Sequence, residues 1–308
     1  LITASCVFFN AAFAPAGFVQ LSASMSQPFT PGRPHWWQWL TVLSLDAPVV
    51  AVLWQALFAR LAGVQLGWHD PVLIGVAVWI VYVADRWIEG WRLTPEIVRT
   101  QRHYFYIRWR WPVFGFGIAA IVATTVIAIT CLDEREFKAG FVLLIPTLLY
   151  LFSHQLVHRH HPLRLPKEIC IATIFAIGCA LAPAVQAPDK IITLLIPTAL
   201  FGLLCFANCA LIASWEQEVD AVHGQTSLAL QWSRGLTLIH TLPWLLFALG
   251  FTAVFVPAHI ARSVAICISA SGLLLGLLDV IHPRIGRQAA RAAIDVTLMT
   301  PAVFLFFQ

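Results

Sequence analysis

Long apolar runs separated by short polar and charged stretches dominate this chain, and their lengths carry the first inference. A transmembrane helix needs about 20 mainly apolar residues at about 1.5 Å rise each. With that ruler nine runs can be laid down, at 43–64, 71–90, 113–132, 139–157, 168–187, 190–213, 236–256, 261–281 and 291–307. The pattern predicts an all-α fold, a polytopic membrane bundle of about nine transmembrane helices. It forms one membrane domain over 43–308, preceded by an N-terminal extension and cytoplasmic segment over 1–42. Prolines inside the runs (Pro48, Pro146, Pro183, Pro197, Pro243, Pro301) are tolerated in bundles, where neighbours re-satisfy the freed carbonyls.

Composition agrees. Of 308 residues 59% are hydrophobic and 11% charged, against roughly 25% charged in soluble domains. The mean hydropathy of +0.80 is spread over the whole length, which excludes a soluble domain on a single anchor. A net charge of +4 implies no nucleic-acid partner. The seven cysteines lie in or beside apolar runs, with no CxxC pair, and read as small buried side chains.

Residues 1–24 precede the first methionine, Met25, and read as an upstream extension; a signal peptide is the rival, but no basic residue supplies its positive leader region. The 19 Lys and Arg set the orientation. Five of them, Arg60, Arg135, Lys138, Lys190 and Arg262, fall on one side of the alternation, and the other fourteen fall on the opposite side. The positive-inside rule then puts the N-terminus in the cytoplasm and the C-terminus outside. A bacterial cytoplasmic membrane is the expected location.

Ionisable residues at or in a span are functional candidates by default. One cluster closes the second run, where Asp85 and Glu89 stand one helical turn apart on one face. Another follows the sixth run, where Glu216 and Asp220 repeat that spacing while Glu218 points about 200° away. Paired carboxylates on two helix ends suit a hard cation such as Mg²⁺, which prefers a few carboxylates plus substrate phosphate oxygens to an all-protein cage. The bland alternative is that Glu89 pairs with Arg92 and the second cluster is a solvated loop.

Ala84-Asp85-Arg86-Trp87-Ile88-Glu89-Gly90 resembles the latter part of the N-D-x-x-D-R-x-x-D motif of the UbiA superfamily of intramembrane prenyltransferases. Glu216 through Ser227 is similar to the family's D-x-x-x-D followed by G-x-x-S, with Gly224 and Ser227 at the later positions. Leu45-Asp46-Ala47-Pro48 is similar to its D-x-P, and Lys167 falls where the family carries a basic residue. The resemblance implies a transferase of alkyl or aryl groups that moves a polyprenyl group from its diphosphate to a lipophilic, aromatic or quinone-precursor acceptor. It implies Mg²⁺ as cofactor, and Asp85, Glu89, Glu216, Glu218 and Asp220 as metal or catalytic residues. Arg99, Arg102 and Lys167 are then the diphosphate contacts, and membrane lipid is the surrounding partner.

The chain departs from the motif at Val81 and Tyr82, where the family has Asn and Asp, and it carries Glu for Asp at 89 and 216. A catalytically inactive, lipid-binding relative is therefore a second reading. A transporter is a third, opposed by acids that lie at helix ends instead of the bilayer midplane. His154 and His158, one turn apart and beside His160 and His161, lack an evident third ligand and read as interfacial. Asp279 and Asp295 are expected to pair with Arg284 or Arg291. Asn208 either lines a cavity or bridges helices, and tryptophans such as Trp36, Trp37, Trp109 and Trp111 read as interfacial anchors.

Overall fold

The computed structural model describes residues 33–91, 93, 98, 100–153, 166–222, 227–232, 235–256 and 260–306. Over these the chain is helical: α1 (Trp39–Val42), α2 (Asp46–Ala62), α3 (His69–Gly90), α4 (Gln101–Arg108), α5 (Arg110–Cys131), α6 (Glu134–Phe152), α7 (Lys167–Gln186), α8 (Ile191–Trp215), α9 (Gln217–Val222), α10 (Leu228–Gln231), α11 (Leu236–Phe255), α12 (Arg262–Ile285), α13 (Arg287–Ile294) and α14 (Pro301–Phe306). Among the described residues six helices are long and apolar enough to cross a membrane, and a seventh crossing is counted if the pair Trp36–Val42 and Asp46–Ala62, bent by 76°, forms one span. The bend falls at Ser44, which adopts φ 56° and whose hydroxyl lies 3.0 Å from the Tyr106 hydroxyl. At the other end of α2, Gly63 (φ 71°) accepts the left-handed turn that closes the helix, its N–H reaching back to Ala59 and Arg60.

Two expected spans differ. The run 139–157 becomes α6, whose first turns carry Glu134, Arg135, Glu136 and Lys138. Asp133 and Glu136 cap it reciprocally, Glu136 N–H donating to Asp133 Oδ1 at 2.7 Å and Asp133 N–H to Glu136 Oε2 at 3.1 Å. The run 291–307 is no single helix: α13, a 3₁₀ turn (Asp295–Leu298) and α14 follow one another. Arg291 pairs with Asp295 at 2.6 Å, Thr297 Oγ1 donates to the Ile294 carbonyl, and Pro301 has no N–H to continue a helix. The 3₁₀ turn and α14 pack on α2, and α13 packs on α12. Trp54 Nε1 donates to the Leu298 carbonyl at 2.8 Å.

The core is aromatic at its centre. Trp54 stacks on Phe201 with ring centroids 4.1 Å apart, and Phe58 meets Phe201 edge-on at 5.9 Å. Away from it, α11 and α12 approach backbone to backbone. A Cβ at Gly250 would stand 2.6 Å from Ser269 N, and one at Gly272 2.7 Å from Phe247 N. Small residues at such a crossing let dispersion act between whole helices where lipid gives no hydrophobic drive. Because backbone and not a flexible side chain blocks the space, Gly272→Val should cost at least about 1–3 kcal/mol. A lowered unfolding midpoint in detergent would check this; an unchanged midpoint would show that the helix pair can slide apart without loss.

Candidate functional site

The two acidic clusters meet. Helical spacing puts Asp85 and Glu89 on one face at the end of α3. On the other side the chain keeps helical hydrogen bonding through the α8–α9 junction, with Glu216 N–H on the Ile212 carbonyl at 2.9 Å and Asp220 N–H on the Glu216 carbonyl at 2.8 Å. The end of α8 is anchored by Trp215, whose Nε1 donates to Asp279 Oδ1 at 2.9 Å while His240 Nδ1 holds the other oxygen at 2.7 Å. Asp279 thus bonds neither Arg284 nor Arg291 in the described contacts.

A cavity of 680 Å³ receives these groups. Asp85, Glu89, Glu216 and Asp220 all line one end, with Arg86, Arg102, Lys167 and Glu168 among them. Most of its middle wall is apolar, from Ile74 and Val78 on α3, Leu143 and Leu144 on α6, and Ile171 and Phe175 on α7. α5 packs on α3 and α6 packs on α7, while α5 and α6 share little contact with each other. Ile121, Leu144 and Leu148 line the cavity there and are also exposed on the surface, so it is open sideways.

The charges are organised in pairs. Arg86 Nη1 donates to Glu89 Oε2 at 2.8 Å, and His103 Nε2 lies 3.0 Å from the same oxygen. Thr100, the cap of α4, holds His103 Nδ1 at 2.6 Å. Burial pushes the His103 imidazole down to about 4 against the pull of Glu89, so it is neutral at pH 7. Arg102 Nη2 donates to Glu216 Oε2 at 2.8 Å. Burial alone would raise Glu216, but the Arg102 guanidinium, helped by Arg291 and Arg86, outweighs it and brings the carboxyl down to about 2. Asp220 moves the other way, raised chiefly by burial although Lys167 opposes this. Arg102 Nε and Nη1 are buried and bond to nothing among the described residues.

The pH consequence has a definite sign. Between about 6.5 and 4 the unfolded chain binds a proton on His103 that the folded protein refuses, so stability should fall as pH drops through that window. Thermal unfolding as a function of pH should show the fall, and His103→Gln should flatten it; an identical slope in the variant would discount this residue.

One expected site residue is not brought to the cavity. Glu218 is half exposed and pairs with Arg287 at 3.4 Å, outside the cluster, because the third residue of that turn faces away from the bundle. It is withdrawn from the candidate metal ligands. Arg99 lies outside the described residues, as do Arg92, Gly224 and His154, His158, His160 and His161. Val81 and Tyr82 both line the cavity, so the motif's missing polar positions are filled by side chains facing the same space.

The structure adds Glu168 and the group around Arg291. Glu168 is 1% exposed; its Oε1 accepts from Leu228 N–H at 3.1 Å and its Oε2 has no partner among the described residues. Arg291 and Asp295 line the cavity beside Asn208, whose Nδ2 donates to Asp295 Oδ1 at 3.0 Å, and the buried Asp46 lies within electrostatic reach of both. A charge inside an apolar run was the available signal for each.

Among the described residues no three His, Cys, Asp or Glu side chains are grouped to hold a metal by themselves. At the charged end five lining carboxylates, Asp85, Glu89, Glu168, Glu216 and Asp220, face three lining cations, Arg86, Arg102 and Lys167. With the orphaned Glu168 oxygen, this donor set fits a cation whose shell a phosphate completes, and does not fit a closed protein cage.

No family model matches the sequence, and no curated protein matches it. A solved structure does: the apo form of a UbiA homolog from Aeropyrum pernix K1, at TM-score 0.57 and 14% identity, covering 84% of this chain and 98% of that one. At this identity the likeness shows the fold alone: the chain is folded as that UbiA homolog is.

Proposed function

We propose that this chain is an intramembrane prenyltransferase that takes a polyprenyl diphosphate and transfers the prenyl group to a lipophilic acceptor with Mg²⁺ as cofactor. The observation that carries the reading is the meeting of both acidic clusters with a partly unsatisfied arginine, Arg102, at the polar end of an apolar, laterally open cavity. A diphosphate with a hydrocarbon tail matches that polarity from end to end.

The residues divide the work. Arg102 presents its free Nε and Nη1 to phosphate oxygens while Glu216 fixes its position, and Lys167 adds a second cation. Both are placed to stabilise the charge that builds on the departing diphosphate as its carbon–oxygen bond breaks. Tyr82 and Tyr150 line the cavity nearby and offer aromatic faces to an allylic cation. Asp85 and Asp220 would hold Mg²⁺ together with the diphosphate oxygens, and the ion when bound supplies neutralisation of the diphosphate charge. The nucleophilic atom of the acceptor then forms the new bond to the allylic carbon and gives up its proton to the released diphosphate. With the orientation set by the charge rule, the diphosphate end faces the cytoplasm, in keeping with a bacterial cytoplasmic membrane.

The rival, an inactive lipid-binding relative, draws on Glu89 and Glu216 already being neutralised by Arg86 and Arg102. Membranes containing the protein, incubated with labelled prenyl diphosphate, Mg²⁺ and extracted lipids, separate the two. A labelled lipid product absent from control membranes is expected; binding of the diphosphate without any product would favour the rival.

A further inference from the structure

Resting on that reading, we infer that the cavity is a length gauge: a polar bridge at its far end is a floor that admits a tail of about four to five isoprene units. The bridge is Gln186 of α7. Its Nε2 donates to Asp70 Oδ2 of α3 at 3.2 Å and to Glu136 Oε1 of α6 at 2.7 Å. One side chain thereby ties together three of the helices that wall the cavity. Asp70 is 3% exposed and also accepts from Gly67 N–H at 2.8 Å. Both carboxylates line the cavity, and so does Gln55 of α2, 2% exposed, whose Oε1 has no partner among the described residues.

These groups stop hydrocarbon for a chemical reason. A terminal methyl group pushed into the bridge would part the buried Asp70 and the half-buried Glu136 from the amide that joins them and offer no hydrogen bond in return. The apolar wall therefore ends at Val185 and Leu73, next to Gln186 and close to Asp70 in sequence.

The height of the floor follows from the helix that carries both ends. Asp70 and Asp85 stand fifteen residues apart on the unbroken α3, which is about 22 Å. Three bonds of an extended main chain advance about 3.3–3.6 Å, so the four bonds of an isoprene unit advance about 4.5 Å. About five units fill the span, the first lying beside the diphosphate site. A much longer tail has to leave sideways between α5 and α6, where further units gain no wall.

The test uses the purified full-length chain with Mg²⁺ and geranyl, farnesyl, geranylgeranyl and nonaprenyl diphosphates, measuring the unfolding midpoint and, separately, transfer to extracted lipid acceptors. Stabilisation should climb from geranyl to geranylgeranyl and gain nothing more with nonaprenyl. Ala182→Phe, on the wall above the floor, should lower the ceiling to farnesyl while leaving the geranyl shift in place, and Val185→Trp, closer to the floor, should cost geranylgeranyl alone. A midpoint still climbing from geranylgeranyl to nonaprenyl, no stabilisation by any of the four, or a ceiling unmoved in a folded Ala182→Phe or Val185→Trp protein overturns the gauge. A moving ceiling without transfer supports the gauge and removes the enzymatic reading.

Discussion

Asp85→Asn and Asp220→Asn are each expected to lower prenyl transfer by about 100-fold or more while the protein stays folded in the membrane. Each exchange keeps shape and removes the charge available to a cation at the polar end of the cavity. Asp220 is the clearer case for stability, because burial already disfavours its ionised form and an amide relieves that cost. Glu218→Gln is the internal control: its side chain is half exposed and paired with Arg287, so transfer should stay within about twofold, as for an exposed pair worth little. Initial rates in membranes with matched protein content give the comparison. Equal losses at all three positions would assign these residues to folding.

Arg102→Met should have the largest effect on stability, about 3–5 kcal/mol, because it strands the buried Glu216 carboxylate without its partner. The double variant Arg102→Met with Glu216→Gln should recover most of that loss and none of the diphosphate binding, since the guanidinium serves the pair and the phosphate at once. A double-mutant cycle on unfolding free energies measures the coupling. The sign with pH is also set. Glu216 titrates at about 2 in the folded protein against an ordinary 4.5, so its contribution is complete above about pH 4.5 and is lost as pH falls toward 2. Arg102→Met should remove that acid dependence. If the single variant is as stable as the parent and keeps the same acid slope, the 2.8 Å pair is a surface-like contact with no energetic role.

Much of this protein was legible in its sequence because lipid imposes simple rules. Backbone polar groups in a bilayer must be satisfied within each segment, so apolar runs of the right length announce helices, and the observed α3, α5, α7, α8, α11 and α12 follow the expected runs within a few residues. The same rules made charges conspicuous, and the two i, i+4 acid pairs needed only helical geometry to be assigned a common face each. The last apolar run is not one continuous helix, because run length ignores local chemistry. The Arg291–Asp295 pair, the Thr297 hydroxyl and Pro301 break it into two short helices joined by a 3₁₀ turn.

What the tertiary structure alone decided is who partners whom. Asp85 and Asp220 are 135 positions apart, and nothing in their local spacing says that α3 and α9 end at one cavity. Glu89 and Glu216 looked alike as candidate ligands, yet each is held by an arginine, and Arg102 reaches Glu216 across 114 positions. Glu168 was passed over beside Lys167 until packing buried it with one oxygen unmatched. Glu136 and Gln186 carried no signal, although Gln186 joins Glu136 to Asp70 across three helices. The physical reason is the range of the forces involved. Hydropathy and helical phase act over one or two turns and are written in consecutive residues, whereas ion pairs and cavity walls depend on angles between helices that no single segment specifies.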